Sequence, residues 1–140
     1  MSSQAEAPIR KFYELMSRGL SADGVIADLE ALLHPDVEYV NPPDAVEPGT
    51  RRGIAGWRTA VASTLEGLGS TPTFEIEEFV ARGDLVFSRV SIRTGGTASG
   101  VEVAGPTIAT VWTVREGLVR RFEWHWDPAV ARAIFEDATS

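Results

Sequence analysis

Residues Val119–Asp127 read Val-Arg-Arg-Phe-Glu-Trp-His-Trp-Asp. From Phe122 onward, bulky aromatic residues alternate one by one with charged or polar ones. An extended chain sends successive side chains to opposite faces, so this pattern suits a strand with one buried side and one wetted side. Phe122, Trp124 and Trp126 fall on one face; Arg121, Glu123, His125 and Asp127 fall on the other. One strand cannot bury three rings by itself. It needs neighbouring strands and a second layer over the aromatic side. The rings then either fill a core or wall a pocket for an apolar small molecule.

The rest of the chain supplies both requirements. Ile9, Phe12, Tyr13 and Met16 recur at helical spacing, so Pro8–Arg18 reads as an amphipathic helix, with Gly19 as its left-handed cap. Val25, Ile26, Leu29, Leu32 and Leu33 predict a second helix over Ala22–Leu33, which His34-Pro35 ends because a residue before proline is pushed away from helical angles. Val37–Asn41 is a short strand with Val37, Tyr39 and Asn41 on one side, stopped by Pro42-Pro43. The segment to Arg52 reads as a loop long enough to lie over a pocket mouth. Ile54–Leu68 is a third helix, with Trp57, Val61, Leu65 and Leu68 along one stripe.

Strands follow: Thr73–Ala81, Leu85–Thr94 and Thr107–Val114. They are joined by a turn at Arg82-Gly83-Asp84 and a small-residue loop over Gly95–Gly100, with a bend or bulge at Gly105-Pro106. Arg115-Glu116-Gly117 turns the chain into the aromatic strand. Asp127 then suits an N-cap and Pro128 the first position of a closing helix. Helices first and strands later indicate an α+β domain over residues 1–140, with helices packed on one face of a curved sheet.

Composition narrows the function. The chain has 13 basic and 20 acidic residues, a net charge of −7, and no cysteine. The charge disfavours nucleic acid as a partner, and the basic doublets Arg51-Arg52 and Arg120-Arg121 are too short to form a patch. No disulfide, thiolate metal site or cysteine nucleophile is available. Two histidines on unrelated elements give no metal site, and no cofactor is expected. Without a secretory leader or a long apolar run, a cytoplasmic home with no membrane partner is the expectation.

The order of "IRKFYELMSRG", "LLHPDVEYVNP", "RRGIAGW", "VARGDLVFSRV" and "VWTVREGLVRRFEWHWD" along the chain resembles a SnoaL-like polyketide-cyclase domain, in the nuclear transport factor 2-like superfamily. The resemblance implies a cystatin-like, cone-shaped barrel: a curved antiparallel sheet wrapped by N-terminal helices around a hydrophobic pocket. It also implies a homodimer formed through the outer sheet face. The activities it implies are those of an isomerase, cyclase or hydrolase acting on an apolar polyketide-, terpene- or steroid-like compound. The alternative is a non-catalytic ligand-binding or dimeric interaction module, because such folds host both.

The resemblance also assigns candidate residues. Limonene-epoxide hydrolases carry Tyr-x-Asn on the first strand, Arg-x-Asp on a middle strand and an Asp on the last. Tyr39-Val40-Asn41 matches the first pattern, Arg89-Val90-Ser91 matches the second with Ser in place of Asp, and Trp124 stands where the last Asp would be. Epoxide opening needs an acid and a base; a serine and an indole supply neither. Tyr39, Asn41 and Arg89 are therefore candidates for orienting a substrate, not for moving its protons. The bland alternatives are a turn cap for Asn41, core packing for Tyr39 and an ion pair with Glu75 or Glu77 for Arg89. Trp57, Ser91, Ile108, Thr110, Trp112, Phe122, Trp124 and Trp126 are the candidate ligand-binding residues. His125 opposes Trp124 in parity and is expected on the outer face.

Overall fold

The computed structural model describes residues 4–18, 24–45, 48–68, 72–94 and 103–140. The elements run α1 (Glu6–Ser17), α2 (Val25–Glu30), β1 (Leu33–Asn41), β2 (Gly49–Arg52), α3 (Gly53–Leu68), β3 (Pro72–Arg82), β4 (Leu85–Thr94), β5 (Val103–Arg115), β6 (Leu118–His125) and α4 (Pro128–Thr139). The caps expected at Gly19 and the loop expected over Gly95–Gly100 lie outside the described residues.

The six strands form one sheet in the order β2-β1-β6-β5-β4-β3. This corrects the expected cone-shaped antiparallel barrel. The sheet is mixed, because β1 and β6 run parallel, with Tyr39 opposite Phe122 and Val40 opposite Glu123. It is also open: β2 and β3 are its two edges and do not pair, so no barrel closes. Two strands at opposite ends of a sequence can lie parallel only when the intervening chain crosses over, and β2 through β5 provide that crossover.

β1 begins four residues earlier than its alternation suggests. Leu33 already pairs with Val119, and the register shifts between Leu33 and Glu38. Pro35 has no N–H for the ladder, which places the irregularity there. α2 is correspondingly short and stops at Glu30. Gly49–Arg52, read as loop from the sequence, pairs antiparallel with β1. Gly105-Pro106 does mark a bulge: Ser91 pairs with Thr107 but Arg93 pairs with Ala104, so β5 carries one extra residue. Asp127 caps α4 as its type predicts, accepting the Ala129 N–H at 2.9 Å, with Pro128 in the first turn.

Helices cover both faces of the sheet, not one. α1, α2 and α3 pack on the inner face through Ile9, Phe12, Tyr13, Leu15, Val25, Leu29 and Trp57, against Leu33, Val37, Val86, Val90, Trp112 and Val119. α4 packs on the outer face, where Ala131 and Phe135 bury Phe87, Ala109 and Val111. A fully buried side chain of this size contributes roughly 1.5–3 kcal/mol, so both layers are integral to the fold. α4 thereby occupies part of the outer face on which the homodimer was expected.

Candidate functional site

The inner face is organised in rows that cross the sheet. Ser88 on β4 lies opposite Thr110 on β5, and Thr110 lies opposite Trp124 on β6. One row along, Val86 lies opposite Trp112, Trp112 opposite Phe122, and Phe122 opposite Tyr39 on β1. Aromatic contacts bind the second row together. The Trp112 and Phe122 ring centres are 4.6 Å apart, and those of Phe122 and Tyr39 are 4.8 Å apart. Phe12 from α1 meets Trp112 edge-on at 5.2 Å.

Between this row and the helices lies a cavity of about 110 Å³. Phe12 and Met16 of α1 and Trp57 and Val61 of α3 form its roof. Leu33, Val37 and Tyr39 of β1 and Val119 and Phe122 of β6 form one side of its floor. Phe74, Ile92, Ile108 and Trp112 form the other. Among the described residues the wall carries no carboxylate, imidazole or ammonium group; its only polar tips are the Tyr39 phenol and the indole nitrogens of Trp57 and Trp112. No group of three or more His, Asp or Glu residues that could hold a metal occurs among the described residues.

The candidate residues separate into three groups. Tyr39, Trp57, Ile108, Trp112 and Phe122 line the cavity. Thr110 lies between Ile108 and Trp112 on the same face, fully buried. Asn41 and Trp124 meet each other: the indole N–H of Trp124 donates to Asn41 Oδ1 at 2.6 Å, and neither residue lines the cavity.

The third group lies elsewhere. Arg89 is opposite Ala109, whose side chain packs under α4, so Arg89 and Ser91 point to the outer face. Arg89 pairs there with Glu77 at 3.1 Å and Glu78 at 3.6 Å. A register shift between Ile76 and Glu78 on β3 brings both carboxylates to the same arginine. Trp126 follows the last residue of β6, stacks edge-on against Trp124 at 4.8 Å, and is 44% exposed. Three assignments are thus corrected: Arg89 and Ser91 by strand parity, and Trp126 because the strand ends before it. His125 lies opposite Ala109, on the outer face, where its Nε2 is 2.7 Å from Glu123 Oε2.

Tyr13 and Ser88 were not singled out by the sequence, yet they form the buried polar centre of the inner face. The Tyr13 hydroxyl and Ser88 Oγ are 2.8 Å apart, and the Trp112 indole N–H donates to the same Ser88 Oγ at 2.8 Å. Burial pushes the Tyr13 phenol up to about 12, opposed by its Ser88, Trp112 and Thr110 neighbours. Thr110 thus lies close enough to act on the phenol, but its own Oγ1 has no partner in hydrogen-bond geometry. In sequence, Tyr13 is only one member of an apolar helical stripe, and Ser88 one small residue in a strand.

This sheet, its helical roof and its apolar cavity define a pocket protein of the nuclear transport factor 2-like class. The SnoaL-like domain model matches residues 9–122, and the chain belongs to that family. Among solved structures, TerC co-crystallised with polyporic acid is similar at 25% identity, with a TM-score of 0.70 over 96% of this chain and 99% of that one. An NTF2-like protein of unknown function from Burkholderia pseudomallei is 20% identical, with a TM-score of 0.70 over 92% of this chain and 95% of that one. Bal32a, from a soil-derived mobile gene cassette, is 16% identical, with a TM-score of 0.70 over 94% and 95%. The latter two share the fold. No curated protein matches the chain. No helix among the described residues is long and apolar enough to cross a membrane.

Proposed function

We propose that this chain binds a small, apolar, ring-sized molecule in the inner cavity and does not use acid–base chemistry on it. The observation that carries this reading is the composition of the wall, apolar among the described residues apart from one phenol and two indole nitrogens. Proton transfer needs a titratable group within hydrogen-bond reach of the reacting atom, and among the described residues the wall offers only phenol as an ionisable group. Size points the same way. A dry apolar cavity of roughly 150 Å³ takes benzene, whereas pockets for drug-sized ligands run to roughly 300–1,000 Å³. A cavity of about 110 Å³ suits one ring better than a polyketide, terpene or steroid skeleton. The likeness to TerC, crystallised with polyporic acid, supports a small-molecule role without fixing the ligand.

The test is a titration of the purified protein with benzene and other single-ring compounds, followed by backbone amide shifts. Saturable shifts at the cavity residues are expected. The isomerase, cyclase or hydrolase reading would gain over the binding one if turnover of any such compound were lost in Tyr39→Phe. A homodimer, if formed through the outer face, has β6, β1 and β2 available beside α4. Sedimentation should then give twice 15.1 kDa.

A further inference from the structure

Five of the cavity's aromatic rings touch in a chain that runs from roof to floor. Trp57 on α3 meets Phe12 on α1 edge-on at 6.5 Å, and Phe12 meets Trp112 on β5 at 5.2 Å. Trp112 continues to Phe122 at 4.6 Å, and Phe122 to Tyr39 at 4.8 Å. Phe12 is the link that joins the helices to the sheet. Its ring stands steeply against both neighbours, at 77° to Trp57 and 66° to Trp112, and the residue is 4% exposed. Edge-to-face contact is a favoured geometry for aromatic pairs. With one such contact on each side the ring is held in place, because a swing that widened the cavity would break one contact or the other.

The floor beneath Phe12 is held as well. Trp112 is 1% exposed, and its indole N–H donates to Ser88 Oγ at 2.8 Å. Phe122 braces it from the other side. The aliphatic roof side chains are softer. Met16 is unbranched and adapts to its surroundings, and Val61 is small and half-buried. A close-packed interior resists a ligand one ring too large, because its neighbours cannot move aside cheaply. We propose that Phe12 sets the upper size of the ligand: the cavity admits one planar ring and refuses two fused rings, because the Phe12 side chain, wedged between Trp57 and Trp112, holds the place of the second. This rests on the binding function proposed above and names the side chain that imposes its size limit. Taking the Phe12 ring out of the wall leaves room for one more ring in the ligand, because a core collapses only partly around a large-to-small substitution.

The test compares benzene with naphthalene. Dissociation constants are measured by NMR titration on the wild-type protein, Phe12→Ala, Phe12→Leu and Phe135→Leu. Naphthalene has the larger apolar area, so burial alone would make it the tighter ligand. The wild type is expected to bind it about tenfold or more weakly than benzene, the effect of overpacking a core. Phe12→Ala should reverse that order. Phe12→Leu, which disturbs the fold less, should narrow the ratio. Phe135→Leu loosens the layer under α4, away from the cavity wall, and should keep the wild-type ratio. Wild-type protein that binds naphthalene as tightly as benzene would overturn the proposal. So would a ratio unchanged in Phe12→Leu and in any folded Phe12→Ala, or a ratio that Phe135→Leu changes as much. Each of these results leaves benzene binding intact. If the wild type does not bind benzene, the binding function itself falls, and the size limit with it.

Discussion

Trp124 on β6 donates its indole N–H to the Asn41 side-chain oxygen on β1 at 2.6 Å, across the parallel seam of the sheet. Asn41, a candidate for orienting a substrate, and Trp124, a candidate ligand-binding residue, are thus partners of each other. The bond closes the end of the inner face where β1 finishes, and its role is to fix how β1 and β6 meet.

Trp124→Phe removes the donor to the half-buried Asn41 carboxamide oxygen. A loss of about 1–2 kcal/mol is expected, from the missing bond and the reduced apolar area. Urea unfolding measures it. A variant as stable as the wild type would mean that the bond contributes nothing.

Filling the cavity should block binding without undoing the fold. Val61 is half-buried on α3 and lines the cavity. Val61→Phe is expected to weaken single-ring ligands at least tenfold at a stability cost of about 1–3 kcal/mol, the range for overpacking. Unchanged affinity in a folded variant would place the ligand elsewhere.

Arg89 tests the outer face. Its ion pairs with Glu77 and Glu78 are about one-third exposed, and such pairs contribute roughly 0.2–1 kcal/mol. Arg89→Met should shift the urea midpoint slightly and leave ligand affinity unchanged. A large loss of affinity would contradict its position behind the sheet.

Much of this arrangement is legible in the sequence, and the parts that are not have identifiable causes. The aromatic face of β6, the Asp127-Pro128 start of α4 and the bulge at Gly105-Pro106 follow from local chemistry, which needs no knowledge of distant partners. The face of β4 does not. Val86, Val90 and Ile92 are apolar toward the cavity side, but Phe87 is apolar toward α4, so a strand covered on both faces loses its alternation. The resemblance places Arg89 and Ser91 in the pocket, and a strand without alternation carries no local signal against that placement. The parallel pairing of β1 with β6, and hence the open mixed sheet, depends on contacts more than eighty residues apart (Leu33 with Val119). The Tyr13–Ser88 pair, across 75 positions, likewise has no local signature.

Tyr13 gives the fold a dependence on alkaline pH. Its folded value of about 12 stands above the ordinary 10.0 because burial disfavours the phenolate. Below pH 10 the phenol is protonated in both states and costs nothing. As pH rises from about 10 to about 12, the unfolded chain ionises first, so stability falls. Two units correspond to roughly 2–3 kcal/mol. Urea midpoints at pH 9 and pH 11 should differ more for the wild type than for Tyr13→Phe. Identical pH slopes would show that the phenol is not buried as described.

Removing the unpaired hydroxyl should stabilise the empty protein. Thr110→Val deletes a buried polar group without a partner, and a gain of about 1 kcal/mol is expected in the absence of ligand. A destabilised variant would mean that the hydroxyl already has a partner in the unliganded state.

The most direct measurement of the central claim is the amide-shift titration with benzene. Saturable shifts are expected at Phe12, Val37, Trp57, Trp112, Val119 and Phe122 around the cavity, with Arg89, Ser91 and Arg132 behind the sheet unmoved. No saturable change, or changes centred on the α4 side, would contradict a ligand site in the inner cavity.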